Sequence, residues 1–350
     1  MEPWCETPGV SFEALQDELT AAGLTDGLPV VPPTRERIER MLEQCRFEPG
    51  DIVAVLPPLN GEATWHDLAI NAVMAGCRAD YLPIVGAAIE ALAAAEFNLL
   101  GVATTTGSAA PLIIVNGPIA AAIGMNAGAN ALGPGNRANA TIGRAVSLVL
   151  RNVGGAVPGE IDMATLGQPA KYTFCLAENE AQSPWPPLHV ERGFPADASV
   201  VTVVGVAGIV EVVDSVSNRP GDLAQTFAQS MLIAGNVGTG GRIGGGEPLI
   251  IVPPEHAAVF HDGGCSKAEA KAIIYERVIF PLSRLSSAVR EHMLSLGGVA
   301  AMHEGEPVLR IAHKADDLML VVAGGVGRKA AYVPTWSGGT CAVSRAVRTG

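Results

Sequence analysis

The sequence predicts an α/β protein, with mixed or mostly parallel sheet covered by helices on both faces and arranged as two similar halves. Three observations carry this. Apolar β-branched runs alternate with segments of helical period along the whole chain, which is the pattern of a covered sheet. The 41 Gly and 25 Pro in 350 residues cut those runs into short elements. The pentapeptide PLIIV occurs twice, at 111–115 and 248–252. Each copy is followed by a Pro-bearing turn and an Ala-rich helix, NGPIAAAIG or PPEHAAVF. Each is preceded by a strand candidate, LLGVATTT (99–106) or VVTVVGVAG (200–208). Internal duplication follows, and the seam between two such halves is the natural place for a cleft.

In chain order, Ser11 caps a helix over 12–22 with Leu15 and Leu19 on one face. The run GLPVVPP stops at Pro32-Pro33, a weaker relative of the strand-and-turn theme, as is LMLVVAGGVGRKAA further on. Thr34 then caps a helix with Ile38 and Met41/Leu42 inward. Residues 51–64 read as strand and turn, and HDLAINAVMAGCRAD and YLPIVGAAIEALAAAE as helices. The stretch GPGNRANATIGR opens a further helix, with Asn139 or Thr141 as its cap. Residues 158–199 are too polar and Pro-rich for core and too varied for a linker. They form an irregular functional segment between an N-terminal half, 1–157, and a C-terminal half, 200–350.

Charge excludes some functions. The net charge is −12, and no run of Lys or Arg exceeds two residues, which argues against nucleic acid and against anionic membrane surfaces. The stretch 97–136 holds no charged residue and is long enough to span a bilayer. Gly107, Pro111, Gly117, Pro118 and Gly124 break it too often for that. No basic start with an apolar run opens the chain. Six cysteines lie far apart without a C-x-x-C, so a reducing cytoplasm is the predicted compartment, with neither a disulfide framework nor a zinc spacing. Only 17% of residues are charged, which predicts surface buried between subunits of a homo-oligomer.

Two constellations point to chemistry. In the first, Gly133-Pro134-Gly135 forces a turn before a helix start, and Gly135, Asn136, Arg137, Asn139, Thr141 and Arg144 offer donors to a small anionic substrate. The spacing fits neither of the glycine-rich nucleotide loops. In the second, the segment after 170 gathers Lys171, Cys175, Glu178, Asn179, Glu180, His189, Glu191 and Arg192, which together supply acid, base and donor groups. A strand over 171–176 would set Lys171 beside Cys175. Cys77, behind Gly76 and next to Arg78, is the favoured nucleophile, and Cys175 the second. Cys265 sits in a Gly-Gly turn before a Ser266 cap.

The segment TDGLPVVPPTRERIERML (25–42) resembles the opening segment of a bacterial family named for a Sec/Cys-Gly-Ser-Cys motif. That family includes selenoproteins, so the resemblance implies thiol or selenol chemistry. It covers 18 of 350 residues. The naming motif is absent, since Gly264-Cys265-Ser266 holds similar letters in another order, and no family active-site residue maps onto this chain. The expected function is a small-molecule enzyme, hydrolase or lyase. A thiol with Glu178, His189 and Lys171 would cleave a carbon–heteroatom bond in an anionic or carbonyl-bearing substrate. A thiol redox enzyme and a non-catalytic binding or assembly protein are the alternatives. No organic cofactor is implied, and a metal in the acidic loop stays open.

Overall fold

The computed structural model describes residues 11–43, 47–233, 235–236, 242–295 and 301–348. Cys5, Cys45 and residues 237–241 of the Gly-rich stretch lie outside them. The first elements are α1 (Phe12–Ala21), α2 (Arg35–Leu42), the hairpin β1 (Ile52–Leu56) and β2 (Gly61–Thr64), α3 (Trp65–Ala75), α4 (Leu82–Leu92) and α5 (Leu99–Thr104). The caps expected at Ser11 and Thr34 form, each accepting a backbone N–H of its helix. The chain continues with β3 (Ala110–Asn116), α6 (Pro118–Ala122), α7 (Arg137–Asn152), β4 (Cys175–Ala177), α8 (Leu188–Glu191), β5 (Val200–Val206) and β6 (Val210–Val213). Then come α9 (Pro220–Ser230), β7 (Arg242–Gly246), β8 (Leu249–Val252), α10 (Pro254–Asp262), α11 (Lys267–Arg277), β9 (Phe280–Pro281) and α12 (Ser287–Ser295). The last strands are β10 (Ala301–His303), β11 (Glu306–Ala312), β12 (Met319–Val322), β13 (Lys329–Val333) and β14 (Val343–Ala346).

The α/β class holds, and its layering follows from strand alternation. One sheet has the order β14-β5-β3-β4 and a second the order β12-β8-β13-β6. Leu112, Ile114, Leu176 and Val204 of the first share a core with Leu249, Ile251, Val321 and Val333 of the second. Their neighbours Ile113, Val115, Cys175 and Val203 pack instead with α3, α4 and α7. In the second sheet Ile250, Val252, Leu320 and Tyr332 pack with α9, α10 and α11. The order is therefore helix, sheet, sheet, helix. Each sheet carries helices on one face only, because its other face is taken by the second sheet. Both faces are apolar, which is why these strands read as continuous Val/Ile runs.

The PLIIV repeat is a repeat in space, whereas its preceding segments are not equivalent, 99–104 being helix and 200–206 pairing with the first PLIIV copy. Leu112 faces Val204 in antiparallel β5, and Ile113 faces Cys175 in parallel β4. Leu249 faces Val333 in antiparallel β13, and Ile250 faces Leu320 in parallel β12. The fourth strands agree too: Val343 lies opposite Val203, and Val210 opposite Tyr332, the counterpart of Val203. These fourth strands are exchanged. β6 leaves β5 to join the second sheet, and β14 leaves β13 to join the first. The two crossings bond to each other, Ala207 N–H donating to Pro334 O at 2.8 Å and Trp336 N–H to Gly205 O at 2.8 Å. A division of the chain at 200 thus cuts through the first sheet.

Three expected strands are corrected. Residues 99–104 form α5, because Leu99, Val102 and Ala103 bury at helical spacing and the Asn98 side chain caps Gly101 N–H. The stretch 171–176 is strand only from Cys175, since 169–171 is a 3-10 turn. GLPVVPP forms no strand either. Among the described residues no single helix is long and apolar enough to cross a membrane; one pair bent by 72°, Ala79–Leu92 with Ala95–Thr104, meets the length and composition only together.

Candidate active site at the ends of β3 and β4

The C-terminal ends of β3 and β4 carry a buried polar cluster. Asn116, the last residue of β3, is fully buried, and its Nδ2 donates to Glu178 Oε2 at 2.7 Å and to Glu180 Oε1 at 2.9 Å. The next N–H, of Gly117, also donates to Glu180 Oε1, at 2.7 Å. Gly117 is needed here: its φ is +83°, and a Cβ would overlap the Ala198 carbonyl oxygen. Glu178 follows β4 directly and receives Leu188 N–H, at the start of α8, at 2.8 Å. That same turn of helix brings in His189, fully buried, with Nδ1 3.8 Å from Glu180 Oε1 and Nε2 3.4 Å from Ala196 O.

The second half contributes two buried lysines from the first turns of α11. Lys267 Nζ lies 2.6 Å and Lys271 Nζ 2.5 Å from the two oxygens of Glu191, and Lys267 also donates to Pro186 O at 3.1 Å. Three buried atoms of this cluster keep no hydrogen-bond partner: Glu178 Oε1, Asn116 Oδ1 and His189 Nδ1. Glu178 is 4% exposed, and this burial pushes its carboxyl above the ordinary range, with the Lys267 ammonium, Leu188 N–H and Asn116 opposing. Both lysines bond to Glu191, and no ion pair to Glu178 is formed among the described residues.

The duplicated half tests whether packing demands these groups. Register aligns Val115 with Val252 and Ala177 with Val322, so Asn116 corresponds to Pro253, and Glu178, Asn179 and Glu180 to Ala323, Gly324 and Gly325. The local backbone is the same, Glu178 N–H donating to Val115 O at 3.2 Å and Ala323 N–H to Val252 O at 3.0 Å. The same corner is therefore built without any polar side chain in one half, and with four in the other. The two corners meet at the seam, where Asn179 N–H donates to Val322 O at 2.7 Å. A cleft of about 530 Å³ opens beside it, lined by Ala323, Gly324 and the 130–133 loop.

The other candidate residues are held elsewhere. Asn136, not Asn139 or Thr141, caps α7, accepting Asn139 N–H at 3.0 Å after the turn at Gly135, whose φ is +118°. Asn139 is spent on Asn126 and Ala131 O, and the Thr141 hydroxyl on Arg137 O. Arg144 makes a two-pronged bond to Asp26, 2.8 Å on each arm, and Arg137 Nε donates to Gly76 O at 2.9 Å. These donors fasten α7 to the 23–30 loop and to the end of α3.

Cys77 and Cys175 lie under this helix. Cys77 is buried, and its Sγ donates to Thr141 O at 3.3 Å. Burial pushes its thiol up to about 12, against the pull of Thr141, Arg137 and Arg144. Burial raises the Cys175 thiol as well. Lys171 is not beside Cys175, because the 3-10 turn carries it to Asp162, at 2.6 Å. The structure thus brings Glu178 and His189 together, and separately Cys77, Cys175 and the α7 donors. Asn116, Lys267 and Lys271 were not singled out from sequence. The available signal was the residue after the repeat, PLIIV-Asn in one copy and PLIIV-Pro in the other.

Comparison with family models, with curated proteins and with solved structures finds no match to this chain. Among the described residues no group of three His, Cys, Asp or Glu is arranged to hold a metal ion.

Proposed function

We propose that the chain is a small-molecule enzyme, a hydrolase or lyase, whose proton-transfer site is the Asn116–Glu178–Glu180–His189 cluster. In this reading Glu178, kept protonated by burial, is the general acid. Glu180, whose side chain is 31% exposed, is the base that meets substrate. Asn116 fixes both carboxyl groups, and Lys267 and Lys271, bonded to Glu191, hold in place the helix that carries His189. The observation that carries the reading is the buried, half-satisfied Glu178 carboxyl, present in one copy of a duplicated corner and replaced by Ala323 in the other. High thiol values at Cys77 and Cys175 support packing roles for them and move the chemistry to the carboxyl pair.

The test is turnover of a panel of small esters, amides, lactams and hydroxy acids, followed by mass spectrometry. Glu178→Gln and Glu180→Gln are expected to lose at least about 100-fold in rate with the fold retained. Cys77→Ser is expected to keep it within about twofold. Full activity in Glu178→Gln, or loss only in Cys77→Ser, would overturn the assignment.

A further inference from the structure

A second cavity, of about 550 Å³, lies on the helical side of the first sheet, away from the Glu178 cluster. Its floor is apolar, made by Leu99 and Val102 of α5, Leu150 of α7 and Pro111 of β3. Its outer wall is the stretch 156–172, which overlaps the opening of the irregular 158–199 segment expected to be functional. Gln168 pins that wall by donating to Ser108 O and Val206 O. Leu166, on the lip, is 92% exposed, and Tyr172 beside the mouth is exposed too. An apolar chamber with an apolar lip is built for a ligand with a hydrocarbon body.

Charge adds the other half of the ligand. Four charged groups line the cavity: Asp26, Asp162, Lys171 and Arg151. Asp162 is matched by Lys171 at 2.6 Å, and Asp26 by Arg144 at 2.8 Å. Arg151 has no carboxylate partner among the described residues; its Nε donates to Gly23 O at 3.1 Å, which orients the guanidinium without neutralising it. One cation at the rim of an apolar chamber remains to be matched, and a guanidinium matches a carboxylate in two-pronged fashion. We infer that this cavity binds a small monocarboxylate with an apolar body, its carboxylate on Arg151 and its hydrocarbon over Leu99, Val102 and Leu150.

Calorimetric titration of the full chain with octanoate and hydrocinnamate, and with the primary amide of each, tests this. The expected result is saturable binding of the acids, at least about tenfold tighter than of the amides. Arg151→Gln should reduce that preference below about threefold while leaving amide binding unchanged. Ala103→Phe, which fills the chamber, should remove binding of both. Leu166→Ser, at an exposed site that does not support the fold, should weaken both. No saturable binding of either acid at millimolar concentration would overturn the inference. So would equal affinity for acid and amide, or an unchanged preference in Arg151→Gln. None of these residues belongs to the Glu178 cluster, so the outcome is separate from the acid–base reading.

Discussion

At the residue scale, the site turns on the protonation of Glu178. Burial raises the folded-state value of Glu178 above the ordinary 4.5, so the folded chain favours the neutral acid. The stability linked to this group is complete below about pH 4.5 and is lost as pH rises through the folded value. Glu178→Gln keeps an acceptor for Leu188 N–H and has no proton to lose. Its melting temperature relative to wild type is therefore expected to climb with pH and then level off; a flat difference from pH 4 to pH 8 would contradict the shift. For Cys77, a thiol near 12 leaves roughly one thiolate in ten thousand at pH 8. Iodoacetamide should alkylate exposed Cys341 well before buried Cys77 in the native chain, and both together once it is unfolded. Glu178 and His189 were legible in the sequence because charged residues in a Pro-laden segment stand out. Asn116 was not, since an Asn closing an apolar run reads equally well as a turn residue. The lysines of α11 read as solvated helix charges until the fold brings Glu191 against them.

At the scale of elements, the duplicated strands make a symmetric prediction. Ile114 and Ile251 occupy matching positions on the inner faces of the two sheets, both buried. Each Ile→Ala change is expected to cost about 2–5 kcal/mol in chemical denaturation, and the two costs to agree within about 1 kcal/mol. A loss at one site only would break the equivalence. Helix α7 passes so close to β4 that a Cβ at Gly143 would stand 2.9 Å from Phe174 N and 3.2 Å from Cys175 Cβ. Gly143→Val should therefore destabilise by about 1–3 kcal/mol through overpacking, and an unchanged melting temperature would contradict that crossing. Most elements were readable from period and caps. One misread element, LLGVATTT, is short and apolar, and a run of that length cannot separate strand from buried helix by composition. Its period is set by what it packs on, the chamber side of the first sheet.

At the scale of the whole molecule, the repeated PLIIV strands were legible, and the way the chain divides between the two sheets was not. The repeated PLIIV announces duplication. The exchanged strands β6 and β14 are four residues each and find partners more than a hundred residues away in the chain, a non-local pairing that no local pattern encodes. Because each sheet borrows its edge strand from the other half, scanning calorimetry is expected to show one cooperative transition, and two separated transitions would contradict the exchange. Contacts between the halves also build the site, Lys267 and Lys271 of the second half bonding to Glu191 on the helix that carries His189, so the candidate site is complete only in the assembled chain. The most direct test of the central claim is the infrared spectrum of the folded wild type minus Glu178→Gln, with glutamate isotope-labelled, followed against pH. The account predicts a protonated carboxyl band that persists above the ordinary carboxylate range and vanishes in the variant. An ionised band already complete at pH 5 would contradict it.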